Sequence, residues 1–539
     1  MSQPISASDG EYDVIVIGAG LSGLTAAYQL RNTIPGCKVI VLEAKDRIGG
    51  RTLTVPLKCA GGTDYWDLGG QWVCRTQHHI LWLLKELGMG QYPQFTDGTK
   101  LQQSGNSAKP MIRTYESEIP SLPLHVLLDL LNFERKADSL ARDIPCDAPW
   151  RAKNADDYDS ITFEQFLARE TWTQGAKDVV EGGFEVVNGS RGRGHSALNY
   201  LFYISSGISN KSLYDNKNAG AQESKIKGGA QPLSIKLQER LGQSNVLLSE
   251  PVVSIDQSSR SEVKVRTLSG KSFTCKYVIN SIPMNCSVSI QYLPEPPSKR
   301  HMFIGHTKVG NLLKFIATYK TAFWRDKGYS GEIFNMSTND GSNYRGPLLY
   351  VADATSPNDS PALVGFINNP LYWGNVEDCK RKNAILQHLA TFLGSEALTP
   401  IDFMEKHWAK EPYNGGCPTN MMMTGAAEYW DEIRVPFHRV HWAGTETATH
   451  WMGYLSGAVQ SGLRAADEIV NMLTTSEESK GNSSDLLQSL DNLGDVDRRS
   501  EVSWTSWGVS GLWTLGKIGL GLVAAGLVTA GVQALLQAD

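Results

Sequence analysis

Apolar positions recur along this chain with two periods, and the order in which they alternate predicts its architecture. Residues 13–17 form a short apolar run rich in β-branched side chains, the length of a buried parallel strand. Residues 24–30 place Ala and Leu on one helical face, and 38–42 form a second strand-like run. Strand, helix, strand is the opening of a doubly wound, Rossmann-like α/β domain.

The middle of the chain changes period. Residues 80–87 are helical by spacing, and 97–109 read as a polar loop bearing Gly and Ser. From 122 to 170 the pattern is mostly helical, broken between Pro145 and Trp150, with Ser160 as a helix entry. Residues 196–205 predict an apolar helix whose aromatic rings pack a core or wall a cavity. After a helix at 232–241, strand patterns return at 246–248, 251–255, 263–267 and 273–283. That return predicts that the chain re-enters its first domain, which is therefore discontinuous. Further strands are expected at 311–319, 348–353, 362–367 and 440–444, and helices at 380–393 and 457–472, with a glycine turn at 414–417. The expected units are a polar tail at 1–10, a nucleotide-binding domain from 11–95, 225–300 and 426–473, and an inserted α+β substrate domain from 96–224 and 301–425.

Residues 474–506 are rich in Ser, Asp, Glu and Asn and read as a linker without fixed structure. Residues 507–537 are almost uncharged, and 518–536 carry no charge over a length able to span a hydrocarbon core. Trp504, Trp507 and Trp513 precede that run as an interfacial belt would. A buried core helix has a similar composition, but the place after a solvated linker favours a C-terminal transmembrane anchor.

Composition narrows the partners. Hydrophobic residues make up 41% of the chain and charged residues 20%, values of a globular protein with a substantial core. A net charge of −5 gives no general attraction to nucleic acid. The polar N-terminus lacks the basic and apolar regions of a signal peptide. Eight cysteines without C-x-x-C pairs indicate neither a metal site nor a disulfide framework, and place the body on a reducing, cytosolic side.

The chemistry begins at the first glycine turn. Gly18, Gly20 and Gly23 follow the first strand in G-x-G-x-x-G spacing. Gly18 permits the tight turn, Gly20 lets backbone approach a pyrophosphate, and Gly23 lets helix and strand pack closely. The helix N-terminus then offers N–H groups and a favourable dipole to the phosphates. The second strand ends at Glu43, where a carboxylate can meet a ribose hydroxyl. The glycine turn alone is a weak signal; strand, loop, helix, strand and acid together define a dinucleotide site.

Glu43, Arg47, Gly49, Gly50 and Arg51 stand in an E-x-x-x-R-x-G-G-R run that resembles the second fingerprint of flavin amine oxidases, which selects FAD over NAD. Gly69, Gly70, Gln71 and Trp72 resemble the stretch that this family places near the isoalloxazine ring. Residues 441–458, HWAGTETATHWMGYLSGA, resemble its C-terminal flavin signature, with Gly444, Thr445, Glu446 and Met452 as cofactor contacts. The chain thus resembles the flavin-containing monoamine oxidases from about residue 12 to 472, with gaps, and again in its tail.

That resemblance implies further roles. Cys417, in Gly-Gly-Cys, matches the cysteine bonded to the flavin 8α-methyl group, and Trp408 a tryptophan beside the ring. Lys314 matches a lysine that holds a water near flavin N5, and Val252 a main-chain contact to the adenine side. Gln222 matches a substrate-pocket glutamine, and Tyr454 one wall of an aromatic cage. The other wall falls on Pro418, a departure from the family pattern.

The implied activity is oxidation of a primary or secondary amine through an imine to an aldehyde, with O2 reduced to hydrogen peroxide. The implied place is the cytosolic face of the mitochondrial outer membrane. The tail closes on Gln537-Ala538-Asp539 without a basic flank, which keeps the endoplasmic reticulum open, as is a homodimer. Two other readings stand at this level: a polyamine or L-amino-acid oxidase on the same fold, and a flavin-binding interaction protein without turnover. No arginine for an amino acid's carboxylate can be placed.

Overall fold

A computed structural model of the protein describes residues 10–104, 111–336, 346–474 and 477–499. The first apolar run forms the strand Glu11–Ile17, in which Val14, Ile15 and Val16 are fully buried. It lies between Val39–Leu42 and Ser272–Asn280, parallel to both. Val440–Trp442 joins Ser272–Asn280 in parallel, while Val263–Thr267 and Val252–Asp256 extend the eight-stranded sheet antiparallel.

Strands buried on both faces need cover on both faces. Helices Leu21–Thr33, Gln231–Leu241 and Leu455–Leu473 supply Leu24, Leu233, Leu463 and Ile469 to one side. Ile15, Ile40, Ile255, Val265 and Trp442 fill the other. A Cβ on Gly462 would lie 2.4 Å from Ser22 O, so glycine there lets the first and last of these helices touch backbone to backbone. The parallel strands end at Ile17, Leu42, Asn280 and Trp442, the edge at which such sheets hold ligands.

A seven-stranded sheet has Leu313–Thr318 between Asp402–His407 and Ala362–Ile367, with all six of its residues buried. Helices Leu124–Arg142, Phe163–Glu170, Gln174–Asn188 and Ala197–Ser206 form a third layer around Phe133, Phe163, Phe184 and Tyr200. Phe163 and Phe184 stack with centroids 4.4 Å apart.

Three expectations change. The polar stretch 97–109 contains an edge-side strand, Thr99–Ser104, whose Gln102 is buried and exchanges hydrogen bonds with Ser121. A polar residue satisfied inside the fold mimics a loop in the sequence. The helix entry is Thr162, not Ser160: its hydroxyl and the Gln165 side chain cap each other's backbone. The linker reading fails over Glu477–Arg499, which is helical and docks through buried Leu490. Asp491 of that helix meets His79 at 3.0 Å and Asp497 meets His78 at 2.6 Å, so polar side chains make the contact that composition alone suggested was absent. Residues 1–9 and the apolar run 507–537 lie outside the described residues. Among the described residues no helix is long and apolar enough to cross a membrane.

Candidate active site

A cavity of about 630 Å³ takes its walls from both sheets and the helical layer. At the first glycine turn, Gly18 has φ +99°, and a Cβ on Gly23 would sit 2.1 Å from Gly18 O. Helix and strand therefore approach as the spacing predicts. A Cβ on Gly20 would meet nothing within 4 Å, so the helix N-terminus opens onto free space. Glu43 Oε2 accepts from Ala19 N at 2.6 Å and Oε1 from Lys45 N at 3.0 Å. Burial raises this carboxyl, and the two N–H groups only partly offset it. Glu43 and Val252 both line the cavity.

The two arginines of the second fingerprint do different jobs. Arg47 is not in the cavity wall; it donates to Gly50 O at 3.0 Å and Thr52 O at 3.2 Å and pairs with Glu411 at 2.6 Å. It braces the Gly49-Gly50 turn from behind. Lys45 and Lys406 also converge on Glu411. Burial pushes that carboxyl up, but the three cations outweigh it and hold it at about 2. Glu411 had no signal in the sequence, because Lys45 and Arg47 lie hundreds of positions away. Arg51 does line the cavity and joins three segments: it donates to Pro418 O at 2.7 Å and grips Glu446 at 2.6 and 3.1 Å. Glu446 itself is buried behind the wall.

Lys314 sits on the buried central strand, and its Nζ donates to Gly69 O and Gln71 Oε1, each at 2.8 Å. The ammonium lies 5.5 Å from the centroid of the Trp72 ring. Burial pulls its pKa down to about 7, with Asp67 partly opposing. Asp67, in turn, is pushed up to about 6 by burial while accepting from Thr54 Oγ1 and Ala230 N. Gly69 allows no side chain, since its Cβ would stand 2.3 Å from Arg51 O. Trp408 is buried and donates from Nε1 to Leu68 O at 3.0 Å. Cys417 lines the cavity beside these groups; burial pushes its thiol up to about 12, with Arg51 and Lys314 drawing it back in part.

Tyr454 caps the helix Leu455–Leu473 and stacks on Tyr203, with centroids 5.9 Å apart and planes at 22°. Tyr203 belongs to the aromatic helix read as core or cavity wall, and it is both. Gln222 Nε2 donates to Leu213 O at 3.2 Å, while its Oε1 is buried without a partner. Gln222, Pro418, Tyr454, Gly444 and Thr445 all line the cavity. Thr445 Oγ1 ties the signature loop together by donating to Tyr454 O and accepting from Gly453 N. Met452 is not in the wall; it is a fully buried core residue under Thr419. Ser22 is a contact the sequence did not flag: its hydroxyl accepts from Gly444 N at 2.9 Å, locking the first glycine turn to the last signature.

Residues 21–470 match the family model described as flavin containing amine oxidoreductase. The chain belongs to the flavin-containing amine oxidoreductases. It is 36% identical over 469 residues to amine oxidase [flavin-containing] A of Canis lupus familiaris, covering 86% of this chain and 85% of the relative. It is 36% identical over 468 residues to amine oxidase [flavin-containing] B of Homo sapiens, with 86% of each chain covered. Among solved structures, putrescine oxidase bound to putrescine superposes with a TM-score of 0.78 at 28% identity, over 86% of this chain and 100% of that one. Cyclohexylamine oxidase from Brevibacterium oxydans gives 0.77 at 29% identity, over 86% and 100%. This family member is an FAD-dependent amine oxidase, with the mixed α/β fold of that family.

Proposed function

We propose that this chain oxidises primary amines, and secondary amines in some cases, to aldehydes through an imine, with O2 as the oxidant. Segments 11–95, 225–300 and 426–473 would hold FAD, and 96–224 and 301–425 would wall the amine chamber. The observation that carries this is one continuous cavity joining the open helix N-terminus at Gly20 to Lys314, Cys417 and Tyr454. The residues fit FAD. Gln71 Nε2 and Asn414 Nδ2 line that cavity as buried donors without partners, as a flat acceptor-rich ring system would require.

Glu43 would take the ribose hydroxyl, Gly18 and Gly20 the pyrophosphate, and Gly69, Gly70, Gln71, Trp72 and Trp408 the ring. When bound, FAD supplies the two-electron acceptor. The protein's share is orientation and exclusion of water. Lys314 spends two donors on Gly69 O and Gln71 Oε1 and keeps a third for a water. Tyr454, Tyr203 and Pro418 offer the amine an aromatic and apolar seat, which suits a cation on approach and an alkyl or aryl tail afterwards. Purified protein given a panel of amines is expected to release peroxide, and Tyr454→Ala to lower kcat/KM roughly tenfold to a hundredfold through lost alignment. A protein silent towards every amine would refute the reading.

The same reading places FAD on Cys417 through a thioether. Burial pushes the Cys417 thiol up, and Arg51 and Lys314 would favour the thiolate that attachment requires. After acid precipitation yellow colour is expected to stay with the wild type and leave Cys417→Ala. Colour lost from the wild type would refute the link.

The apolar run 507–537 is proposed as a membrane anchor that holds the body on the cytosolic face, at the mitochondrial outer membrane as the resemblance implies, or at the endoplasmic reticulum. Because the helix Glu477–Arg499 docks on the body, the informative truncation ends after Arg499 and not near Leu473. That truncation should move the protein from carbonate-resistant membranes to the supernatant. Continued pelleting would refute the anchor.

A further inference from the structure

The helix Glu477–Arg499 gives no residue to the cavity wall, yet its contacts converge on the loop that carries Tyr454. Its Leu486, Leu487 and Leu490 pack into the same core as Leu463 and Ile469. One turn on, Gly494 faces His450, and a Cβ there would stand 2.6 Å from His450 Cδ2. Glycine weakens a helix interior, so here it marks a point where the helix must come close. His450 Nε2 lies 3.1 Å from Asp495 Oδ1, and the His79 and His450 rings have centroids 6.2 Å apart.

Asp491 carries the contact inward. Its Oδ1 accepts from Gln460 Nε2 at 2.6 Å and lies 3.0 Å from His79 Nε2. Burial pushes the Asp491 carboxyl up, but His79, His450 and Gln460 outweigh burial and leave it below the ordinary range. Gln460 stands on the helix Leu455–Leu473 and is itself buried. Its Nε2 also donates to Thr449 Oγ1 at 2.7 Å, and its Oε1 accepts from Thr449 N at 2.9 Å and His450 N at 3.3 Å. A side-chain amide has one donor end and one acceptor end. A carboxylate only accepts, so Asp491 fixes the donor end of Gln460 and leaves the acceptor end on the loop.

The next residue needs that hold. Trp451 has φ +52°, a left-handed conformation unusual for a bulky side chain. Such strain persists only where the surroundings over-determine it. Trp451 N donates to Ser206 O at 2.8 Å, and its Nε1 donates to Thr76 O at 3.2 Å. Its ring meets Tyr454 edge-on, with centroids 5.0 Å apart and planes at 85°, and its carbonyl accepts from Tyr454 N at 3.1 Å. Tyr454 is thus wedged between Trp451 and Tyr203.

We propose that Asp491 is a positioning residue for amine oxidation: through Gln460 it holds residues 449–451 in the strained turn that sets the Tyr454 ring. The inference rests on the proposed function, in which Tyr454 seats the amine. It makes the C-terminal helix a working part of the site and not only the path to the tail.

A helix that merely stabilises the body would show the same effect wherever its contacts are cut. The test therefore compares, in the full chain, Asp491→Asn, which keeps the shape and removes the charge, with Asp497→Asn, which cuts the contact of the same helix with His78. The rate is kcat/KM for the fastest amine among benzylamine, 2-phenylethylamine and octylamine. Asp491→Asn should lower it roughly threefold to thirtyfold through lost alignment, and Asp497→Asn should stay within about twofold of wild type. In a Tyr454→Ala background Asp491→Asn should cost less than about twofold more, because the ring it positions is gone. Gly494→Ala, which favours the helix but crowds His450, should act in the direction of Asp491→Asn. Amide hydrogen exchange across 447–454 is a readout free of turnover, and should be roughly tenfold faster in Asp491→Asn but not in Asp497→Asn. Unchanged exchange in Asp491→Asn, an equal loss of rate in Asp497→Asn, or a full further loss in the Tyr454→Ala background would overturn the positioning role and leave amine oxidation standing. No peroxide from any of the amines in wild type would overturn both.

Discussion

Lys314→Met is expected to lower kcat/KM for every amine by roughly 10²- to 10⁴-fold, the range for removing a positioned proton-handling group. The lysine sits where no surface lysine could. Its strand is buried along its whole length, and its Nζ is anchored by Gly69 O and Gln71 Oε1. Methionine fills a similar volume, so the strand should persist while the donor to a water is lost. The pH dependence gives a second readout. Burial, opposed in part by Asp67, sets the folded pKa at about 7 against 10.5 for the free side chain. Below pH 7 the group is an ammonium with three donors; above it, a neutral amine that can also accept. Wild type should therefore show a limb in kcat/KM near pH 7 that the methionine variant lacks. The stability sign follows from proton counting. Between pH 7 and 10.5 the unfolded chain binds the extra proton, so stability rises with pH across that window and the burial cost is fully felt below it. The variant should lose that slope. A limb near pH 7 that survives in Lys314→Met, or a rate within tenfold of wild type, would remove Lys314 from the chemistry.

The elements easiest to read from sequence were those whose signal is local. Val263–Thr267, Leu348–Asp353 and Ala362–Ile367 begin and end where alternation and apolar runs place them. The glycine turn was readable because Gly18 needs its positive φ and Gly23 its missing Cβ whatever surrounds them. Thr99–Ser104 and the helix Glu477–Arg499 were hidden, because both bury polar side chains whose partners lie far along the chain. The site divides in the same way. Residues inside contiguous motifs, such as Gln71 and Gly444, line the cavity. Arg47, Glu446 and Met452, read as cofactor contacts, are not among the residues that line the cavity. Motif membership cannot tell a residue that touches a ligand from one that holds its neighbour. Glu134, Asp215 and Glu332, which also line the cavity, were beyond sequence altogether. Glu134 comes from a long helix, and Asp215 and Glu332 from later segments, with no common spacing.

The Arg51–Glu446 pair is the clearest case of a residue that holds its neighbour, and breaking it should have the second large effect. Glu446 is 2% exposed at its side chain, and Asn420 N and Nδ2 donate to it alongside Arg51. Burial pushes its carboxyl up, but Arg51 more than offsets this, leaving it below the ordinary range. Its contribution to stability is thus present above the unfolded value of 4.5 and is lost as pH falls through the lowered folded value. Arg51→Ala would strand a buried charge, at a cost of about 3–5 kcal/mol. It would also free Pro418 O and slacken the join between the second fingerprint and the C-terminal signature, so FAD should be retained poorly. The pH sign should then reverse. With Arg51 gone, burial outweighs the hydrogen bonds from Asn420 and raises the Glu446 pKa, so the variant should lose stability as pH rises above 4.5, whereas wild type gains it as pH rises towards 4.5 and is level beyond. Adding Glu446→Gln removes the stranded charge and keeps an acceptor for Asn420. The double variant should therefore melt higher than Arg51→Ala at pH 7 and lose its reversed pH slope. Because a chain of 539 residues built on two large sheets need not unfold in one step, apparent melting temperatures at one scan rate are the quantity to compare, not an extrapolated unfolding free energy. A double variant no more stable than Arg51→Ala would mean that Arg51 acts through Pro418 and not through the buried carboxylate.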